Sequence, residues 1–295
     1  MDTEIKDVIE PSDILKPKSE SIFVIKADGT REPFDSTKLE QSLKHAGASS
    51  STVEAIISNI KDSIIDDMTT HDIYIRAFEL LHKEDRRMSV TYSLRRAIME
   101  LGPSGFAFED YVAEIFRQKG FETLTDQKVR GKYVEHEIDV VAWNDQKLIM
   151  VEAKFHNQLG VKSDLKIALY VKERFDDLSE MTFNYGGKER KLDEGWLVTN
   201  TKFTTTAIEY GSHQGNRLVM IGWNYPVHGN LHDMILEAKL HPLTCLVNLS
   251  GFAKKELLAQ GVVLCKTIAE NQGLLDTVGL TEDEKQKVLE EIKAL

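Results

Sequence analysis

A hairpin pattern in the middle of the chain constrains its fold most. Within residues 138–155, two apolar runs rich in β-branched residues flank a polar Asn-Asp-Gln turn. This arrangement is typical of an antiparallel β-hairpin. Because side chains alternate along a strand, Glu152 and Lys154 share one face, and a two-residue loop would place Asp139 directly opposite Glu152. The sequence therefore predicts two carboxylates and a lysine at one end of an apolar hairpin.

This charged cluster suggests a functional site. Two carboxylates can hold a divalent cation and a polarised water beside it. Ionisable groups on apolar strands are costly unless a metal or mutual pairing compensates them. The structural alternative is an ion pair between Asp139 and Lys154 at the end of the sheet, with Glu152 as a charge at the strand edge.

Length and charge limit the classes of function. A chain of 295 residues with 41% hydrophobic content can form one large domain or two to three small ones. The net charge is −11, and each of the segments distinguished below holds more acidic than basic residues. A protein that coats DNA through bulk charge would be basic. Any contact with nucleic acid must therefore come from local patches, backbone amides and metal ions.

The sequence gives no sign of a membrane span or a targeting signal. It has no apolar run of about 18 residues, and its first six residues are too polar and acidic for a secretory or transit signal. We therefore expect a cytoplasmic protein without membrane association. The cysteines, Cys245 and Cys265, lack metal-type spacing and suggest reduced, partly buried thiols. A disulfide between them is the alternative.

The N-terminal third divides into a tail and a small domain. Residues 1–19, with Pro11 and Pro17, predict a tail or an arm that orders on a partner. A first domain is expected over 20–104. It starts with two short strands around an Asp28-Gly29 turn, continues with helices over 37–46, 51–66, 70–83 and 86–101, and ends at Gly102-Pro103.

The residues of this first domain indicate more than an interaction module. Five stretches, in this order, resemble the ATP-cone, the nucleotide-sensing module of ribonucleotide reductases and their repressors: Val24 to Gly29, Glu32 to Asp35, Lys38, Thr70 to Ile73, and Tyr92 to Arg96. The resemblance covers about residues 20–100. It implies an ATP or dATP site formed by Val24, Lys26, Glu32, Lys38 and Thr70.

The two lysines are the implied phosphate ligands of this cone. Lys26 and Lys38 near a helix N-terminus make a physically reasonable polyphosphate site. The family's arginine after the strand lysine is Ala27 here, and Tyr74 replaces a polar or basic residue. These two departures leave three alternatives: weaker phosphate binding, another nucleotide preference, or a cone kept only for oligomerisation. In a further alternative, Lys26 and Lys38 are simply solvated.

Residues 105–240 have the pattern of an α/β sandwich on a mixed sheet. A helix starts at Gly105 and ends near Gly120, and a strand with Lys128, Arg130 and Lys132 on one face follows. After the hairpin the pattern predicts, in order, a helix over 161–178, a polar loop over 184–191, a strand over 195–199, a helix over 203–212 and a strand over 217–222. The expected fold class is α/β, α+β overall, with a hairpin-plus-helices cone and an all-α C-terminal region.

The order of charged residues in this segment resembles the PD-(D/E)XK nuclease superfamily, its Mrr-like, type IV restriction branch in particular. The matching positions are Glu109, Asp139, Glu152-Ala153-Lys154 and the downstream stretch from Gly195 to Ala207. The superfamily's proline before the first aspartate is Ile138 here. The resemblance covers about 130 residues.

This resemblance implies a metal-dependent DNA endonuclease. Asp139, Glu152 and the Ala153 carbonyl would bind Mg²⁺ or Mn²⁺, which prefer oxygen ligands. Lys154 would orient the attacking water or stabilise the phosphorane charge. Glu109 would complete the site through a metal-bound water; the alternative for Glu109 is a solvated helix residue.

Several residues are candidates for DNA contacts. Lys128, Arg130 and Lys132 on one strand face are the favoured set, and His156, Asn157, Gln158, Lys166 and Lys172 are weaker candidates. Residues 241–295 form a helical region with two turn-centred units, as in helix-hairpin-helix modules, which present backbone amides to a phosphate. Only the first unit, with Lys254 and Lys255, is suited to DNA; protein docking is the alternative.

Together these features predict a cytoplasmic Mg²⁺- or Mn²⁺-dependent DNA endonuclease whose activity or assembly is set by ATP or dATP. Genome defence is the expected context. A homo-oligomer, dimer or tetramer, is expected because cutting two strands requires two active sites. Two alternatives stay open: a non-catalytic, nucleotide-responsive DNA-binding regulator, and a structure-selective resolvase or RNase on the same core.

Overall fold

The structure is a computed structural model. It describes residues 22–26, 29–102, 105–158, 160–213 and 218–295. The predicted N-terminal tail and Asp28 of the predicted turn lie outside these described residues.

The N-terminal part is a small sheet covered by helices. Strand β1 (Phe23–Ile25) pairs antiparallel with β2 (Arg31–Pro33), and Gly29 in the turn between them has a positive φ of 81°. A short strand, β3 (Met68–Thr69), pairs parallel with β1 and was missed because two residues carry no readable alternation. The helices are α1 (Ser36–His45), α2 (Ser50–Ser63), α3 (Thr70–Glu84) and α4 (Arg86–Met99).

Side-chain caps fix where these helices begin. The Asp35 side chain accepts a hydrogen bond from the backbone N–H of Thr37 at the start of α1. Thr69 and Asp72 form a reciprocal capping box at the start of α3. Such caps satisfy N–H groups that have no partner within the helix, so the strand-to-helix junctions after β2 and β3 are locally specified.

The centre of the molecule is a five-stranded mixed sheet, which confirms the predicted fold class. Its strands are β4 (Glu122–Arg130), β5 (Glu135–Trp143), β6 (Leu148–Lys154), β10 (Glu194–Thr199) and β12 (Leu218–Ile221). They lie in the order β12-β10-β6-β5-β4, with β4, β5 and β6 antiparallel and β6, β10 and β12 parallel. Four shorter strands lie between β6 and β12: β7 (Lys162–Ser163), β8 (Phe183–Tyr185), β9 (Lys188–Arg190) and β11 (Lys202–Phe203).

Helices cover both faces of this sheet. They are α5 (Phe106–Gln118), α6 (Leu165–Ser179), α7 (Thr205–Gly211) and α8 (Leu231–Glu237). Helix α5 buries Phe108 and Phe116 in an apolar cluster with Val140 and Val151. Helix α6 buries Phe175 in a second cluster with residues of the opposite sheet face. The layered α/β arrangement follows from these two faces.

Three local predictions need correction. Strand β4 ends at Arg130, so Lys132 lies in the following turn and not on the strand face with Lys128. The predicted polar loop over 184–191 forms the hairpin β8-β9, with positive φ at both central glycines. The helix expected from 161 begins at Leu165 with Asp164 as its cap, because 162–163 pair with β11 instead. Helix α8 was not anticipated.

The C-terminal region is helical, as expected. It contains α9 (Gly251–Ala259), α10 (Cys265–Glu270) and α11 (Glu282–Lys293), together with 3-10 helices at Leu243–Cys245 and Gln272–Val278. Cys245 and Cys265 are buried free thiols with their sulfurs 3.8 Å apart. No helix in the described ranges is both long and apolar enough to span a bilayer.

Helix α4 packs against all three parts of the chain. Its Tyr92 packs on the N-terminal apolar cluster, its Leu94 and Ile98 belong to the cluster beneath α5, and its Val90 and Ala97 belong to the C-terminal cluster. The Thr244 hydroxyl also donates to the carbonyl of Ala97 at 2.6 Å. A displacement of α4 would therefore affect the N-terminal, central and C-terminal parts together.

Candidate active site

The hairpin has the predicted two-residue loop. The N–H of Asn144 donates to the carbonyl of Lys147 at 3.0 Å, and the Asn144 side chain accepts from the N–H groups of Gln146 and Lys147. Only Asp145 and Gln146 lie between the paired ends. The side chain of Asn144 thus closes the turn and fixes the register of both strands.

This register places the two hairpin carboxylates together. Val140 pairs with Val151, so the next position along each strand sets Asp139 opposite Glu152. The Asp139 carboxylate accepts a hydrogen bond of 2.6 Å from the N–H of Ala153. Burial raises the pKa of Asp139, although the Ala153 N–H favours the charged form.

Glu152 is partly buried between the negative charge of Asp139 and the positive charges of Arg174 and Lys154. Its side chain is 17% exposed and pairs with the guanidinium of Arg174. Burial, and then repulsion from Asp139, raise the pKa of Glu152 to about 7 despite the charges of Arg174 and Lys154. The ion pair therefore compensates the buried carboxylate only in part.

Glu109 approaches the same pair from another element. It lies in the first turn of α5 and is half-buried. Burial and then the charge of Asp139 raise its pKa to about 7, and Glu152 contributes in the same direction. The structure therefore brings three predicted acidic residues into one electrostatic field, and perturbed carboxylates in such a group are typical of functional sites.

Lys154 lies at the end of β6, where it pairs in register with Thr199 of β10. Its charge favours the ionised forms of Asp139 and Glu152. Among the described residues, Lys154 forms no ion pair. The structural alternative, a direct Asp139 to Lys154 ion pair, is thus not present in the described fold.

A buried polar network holds the segment after Lys154. The His156 N–H donates to the Asn200 side chain at 2.8 Å, and the Asn200 amide donates to the His156 carbonyl at 2.8 Å. The His156 ring lies 2.9 Å from the Ser163 hydroxyl. Burial and then the charge of Lys154 lower the pKa of His156, which favours a neutral ring. His156 thus fixes the strand end beside the lysine.

Arg174 is a residue of this site that the sequence did not indicate. Besides Glu152, its guanidinium donates to the carbonyl of Glu137 at 3.0 Å and to the Tyr170 hydroxyl at 3.1 Å. Its position on α6 has no motif, and only the packing of α6 on the sheet brings it to the hairpin. Lys172, one of the weaker candidates for DNA contact, lies on the same helix and pairs with Asp176.

The cationic strand residues are largely engaged locally. Lys128 lies opposite Glu137 in the β4-β5 register. Arg130 donates to the carbonyl of Tyr133 at 3.0 Å, and Lys132 pairs with Glu180 at 3.0 Å. Their contribution to DNA contact stays a prediction.

The implied nucleotide site also comes together. Lys26 and Lys38 both reach the Glu32 carboxylate, at 2.7 and 3.2 Å. Val24 is buried in the strand that carries Lys26, and Thr70 is the first residue of α3. These lysines hold the pKa of Glu32 below its usual range. The two positive charges thus converge on one carboxylate.

Nearby aromatic residues surround the substitution at Tyr74. The Tyr74 ring stacks on Tyr92 with centroids 5.1 Å apart, and the guanidinium of Arg96 lies 5.6 Å from the Tyr74 centroid. Burial raises the pKa of Tyr74 to about 12. The tyrosine therefore links α3 to α4 as a neutral ring.

In the C-terminal region, the amides of the first turn-centred unit already have an acceptor. The buried Glu291 carboxylate accepts from the N–H groups of Val247 and Asn248, at 2.6 and 2.9 Å. Lys254 donates to the Thr244 carbonyl at 2.9 Å. Lys255 is exposed on α9. DNA binding by this unit stays a prediction.

The donor set of the hairpin suits a hard divalent cation. Across the described ranges, no three His, Cys, Asp or Glu side chains are grouped closely enough to hold a metal by themselves. Asp139, Glu152 and the Ala153 carbonyl offer oxygen atoms only. Mg²⁺ is commonly bound by one or two carboxylates with several waters. Mutual repulsion of the carboxylates would be relieved by such an ion.

Comparison with family models divides the chain into three matches. Residues 22–98 match the ATP cone domain, 102–222 match the model described as Restriction endonuclease, and 241–295 match the model described as AF1548-like, C-terminal. The first two matches confirm the resemblances drawn from the sequence.

A curated archaeal relative decides the family. An uncharacterized protein of Archaeoglobus fulgidus is 35% identical over 184 residues, which cover 98% of that protein and 62% of this chain. The chain belongs to the same family. The chain thus combines an ATP cone with a restriction-endonuclease domain and an AF1548-like C-terminal region.

Solved structures add one useful similarity. The crystal structure of AF1548, a protein of unknown function, is 31% identical, with a TM-score of 0.51 over 97% of that chain and 64% of this one. A structure of the MspJI restriction endonuclease with a 27-mer oligonucleotide is 16% identical, with a TM-score of 0.32 over 40% of that chain and 75% of this one. Only the AF1548 similarity bears on the fold of this family member.

Proposed function

We propose that this chain is a metal-dependent DNA endonuclease that hydrolyses phosphodiester bonds at the hairpin site. The observation that carries the proposal is the convergence of Asp139, Glu152 and Glu109 beside Lys154, with the pKa of both glutamates raised to about 7. Partly buried carboxylates that repel one another are unfavourable unless a cation compensates them. The match of 102–222 to a restriction-endonuclease model supports the same chemistry.

In this proposal Asp139, Glu152 and the Ala153 carbonyl hold Mg²⁺ or Mn²⁺, with Glu109 acting through a water. Such a cation supplies Lewis acidity and lowers the pKa of bound water. The backbone N–H of Ala153 orients Asp139. Arg174 pairs with Glu152 and would have to share that carboxylate with the ion.

Lys154 acts on the phosphate in this scheme. Its ammonium group is placed beside both carboxylates by the end of β6, and the His156 to Asn200 hydrogen bonds hold the following backbone. A fixed cation there can orient the attacking water and stabilise charge that develops on the phosphorane. The neutral His156 ring adds no competing charge.

We extend the proposal to regulation by ATP or dATP. The cone would bind the nucleotide through Lys26 and Lys38, with Val24, Glu32 and Thr70 completing the site. Phosphates would replace Glu32 as the partner of the lysines. Because α4 packs against all three parts of the chain, a change in the cone can reach the hairpin.

The proposed assembly is a homo-oligomer, a dimer or tetramer, whose size depends on nucleotide. Light scattering of the full chain with ATP, with dATP and without nucleotide tests it. A change in mass is expected, and one unchanged mass in all three conditions would contradict the nucleotide-gated assembly.

We also propose that the protein is cytoplasmic and acts in genome defence. The proposed domain boundaries lie after residues 19, 104 and 240.

Plasmid cleavage tests the proposed activity. Wild type should cut DNA with Mg²⁺ or Mn²⁺ and not with EDTA. Asp139→Asn and Lys154→Ala should each lower the rate on the order of a hundredfold or more, since each removes a group of the reaction centre. Glu189→Gln, an exposed change on β9, is the matched control and should cleave as wild type does.

Two results would contradict this proposal. Equal cleavage by wild type, Asp139→Asn and Lys154→Ala would show that the reaction does not take place at the hairpin. No cleavage of any nucleic acid by wild type, with DNA binding retained, would favour a non-catalytic regulator.

A further inference from the structure

A second charged cluster lies on the two-stranded β7-β11 sheet. Lys162 and Lys202 are direct register partners in this parallel pair, and both are exposed. Paired residues on neighbouring strands project to the same side of a sheet. Two like charges directly opposite each other are destabilising, so an ordinary surface pair would be expected to have opposite signs.

Arg95 of α4 joins the two lysines. Met99, one helical turn further along α4, lies 3.0 Å from the Asn200 amide nitrogen, and Asn200 precedes Lys202 by two residues. Arg95 and Met99 are four residues apart and therefore lie on the same face of α4, which faces the start of β11. After burial, the charges of Arg95 and then Lys162 are the causes that lower the pKa of Lys202.

This group of three cations lacks a negative partner. Among the residues that the structure describes, Arg95, Lys162 and Lys202 form no ion pair, and the Nε of Arg95 is buried without a hydrogen-bond acceptor. Several other lysines, such as Lys147 with Glu194, are paired. In a chain of net charge −11, three adjacent uncompensated cations suggest an anionic ligand.

The cluster lies beside the proposed reaction centre. Lys154 pairs in register with Thr199, whose hydroxyl is 3.3 Å from that of Ser163, the residue after Lys162. Lys154 thus lies at the carboxyl end of β6, and Lys162 and Lys202 follow the carboxyl ends of the parallel strands β6 and β10. Ligands of open α/β sheets bind at this edge.

We propose that Arg95, Lys162 and Lys202 bind the phosphate backbone of the DNA substrate next to the scissile position. The proposal rests on the proposed nuclease function. A duplex at Lys154 would carry phosphates of its own strand past this cluster, and arginine and lysine contacts to phosphate position a duplex without reading its sequence. One of the three contacts comes from α4, so a helix of the cone takes part in holding the substrate.

Binding of a fluorescent 30-base-pair DNA duplex to the full chain, with Ca²⁺ in place of Mg²⁺, tests this site. Lys162→Ala, Lys202→Ala and Arg95→Gln should each weaken binding about three- to tenfold and lower the slope of log K against log salt by about one. Lys287→Ala, an exposed lysine of α11 paired with Asp283, is the control of equal charge change and should leave both quantities unchanged.

Thermal unfolding separates a binding role from a structural one. Arg95→Gln should not lower Tm, because it removes a buried charge that has no partner. A lower Tm with unchanged DNA binding would show a structural role and overturn the proposal for Arg95. Lys202→Glu, on the exposed strand, keeps the test independent of α4 packing and should weaken binding more than Lys202→Ala.

The plasmid assay distinguishes failure of this site from failure of the nuclease. If wild type cleaves and all the cluster variants bind with wild-type affinity and salt slope, the phosphate site is wrong and the nuclease stands. If wild type neither binds nor cleaves DNA, both are wrong.

Discussion

The cone and the hairpin each gather charged residues, but they balance charge in opposite ways. In the cone, Lys26 and Lys38 surround one partly exposed carboxylate, Glu32, and the pKa of Glu32 is lowered. In the hairpin, Asp139 and Glu152 are partly buried with repulsion between them, and the pKa of Glu152 is raised to about 7. Two lysines against one carboxylate leave the cone cluster with excess positive charge. Asp139, Glu152 and Glu109, when all are ionised, outnumber Arg174 and Lys154 and leave the hairpin cluster with excess negative charge.

This difference indicates what each cluster can bind. Excess positive charge near a helix start favours phosphates. Buried excess negative charge favours a metal cation. The cone also has its own carboxylate in place of the ligand, so nucleotide must compete with Glu32, whereas a cation at the hairpin would relieve repulsion. We therefore expect cation binding at the hairpin to depend strongly on pH. At the cone, we expect nucleotide phosphates to compete with Glu32 for the lysines.

The largest expected effect that sharpens the comparison is the pH dependence of cleavage. With the pKa of Glu109 and Glu152 near 7, both carboxyls are mostly protonated at pH 6 and mostly ionised at pH 8. At Mg²⁺ concentrations below saturation, the rate should rise about 10- to 100-fold over this range. Glu32→Gln, assayed without nucleotide, should keep this profile. A wild-type cleavage rate that does not change between pH 6 and pH 8 would contradict the raised pKa values of Glu109 and Glu152.

The next effect concerns nucleotide binding at the cone. Lys26→Ala and Lys38→Ala should each weaken ATP binding by about tenfold, because a charge-assisted hydrogen bond to phosphate contributes about 1.5–3 kcal/mol and loss of the Glu32 ion pair offsets part of it. Lys44→Ala, which removes an exposed lysine paired with Glu40 on the same helix, is the control. Calorimetric titration measures all three. If Lys26→Ala and Lys38→Ala bind ATP as tightly as wild type does, the two lysines are not part of the nucleotide site.

The smallest effect is on the stability of the metal-free chain. Because the pKa of Glu109 is about 7 in the folded state, above its value of about 4.3 when unfolded, the folded chain binds more protons between these values. Stability should therefore fall as pH rises from about 4 through 7. Glu109→Gln should raise the free energy of unfolding at pH 8 by about 0.5–1 kcal/mol, a figure reduced because the side chain is half-buried.

Urea unfolding at pH 5 and pH 8 measures this effect. Glu114→Gln, on the same helix but paired with Arg117, is the matched control and should not be stabilised at pH 8. A Glu109→Gln variant that is less stable than wild type at pH 8 would contradict a strained carboxylate.

Local sequence signals were sufficient for the hairpin and most helices. The alternation in β5 and β6, with a two-residue turn, sets Asp139 opposite Glu152 because register follows from turn length. The caps at Asp35 and Thr69 mark helix starts for a similar local reason. These features depend on residues close in sequence.

The parts that were missed depend on distant pairing. The pair β7-β11 joins Lys162 to Lys202, and each strand has only two residues, too few for a readable period. Arg174 reaches Glu152 only through the packing of α6 on the sheet. Lys132 was placed on a strand that ends at Arg130, since the local pattern does not show the turn closed by Gly131 and Val134.

Equilibrium Mn²⁺ binding tests the central claim, a cation site on the hairpin, most directly. Electron paramagnetic resonance of free Mn²⁺ during titration of the nucleotide-free chain at pH 8 gives the number of bound ions. Wild type should bind Mn²⁺ at the hairpin, and Asp139→Asn and Glu152→Gln should each lose that site, whereas Glu189→Gln should keep it. Wild-type Mn²⁺ binding by both site variants, or no binding by wild type, would contradict the account.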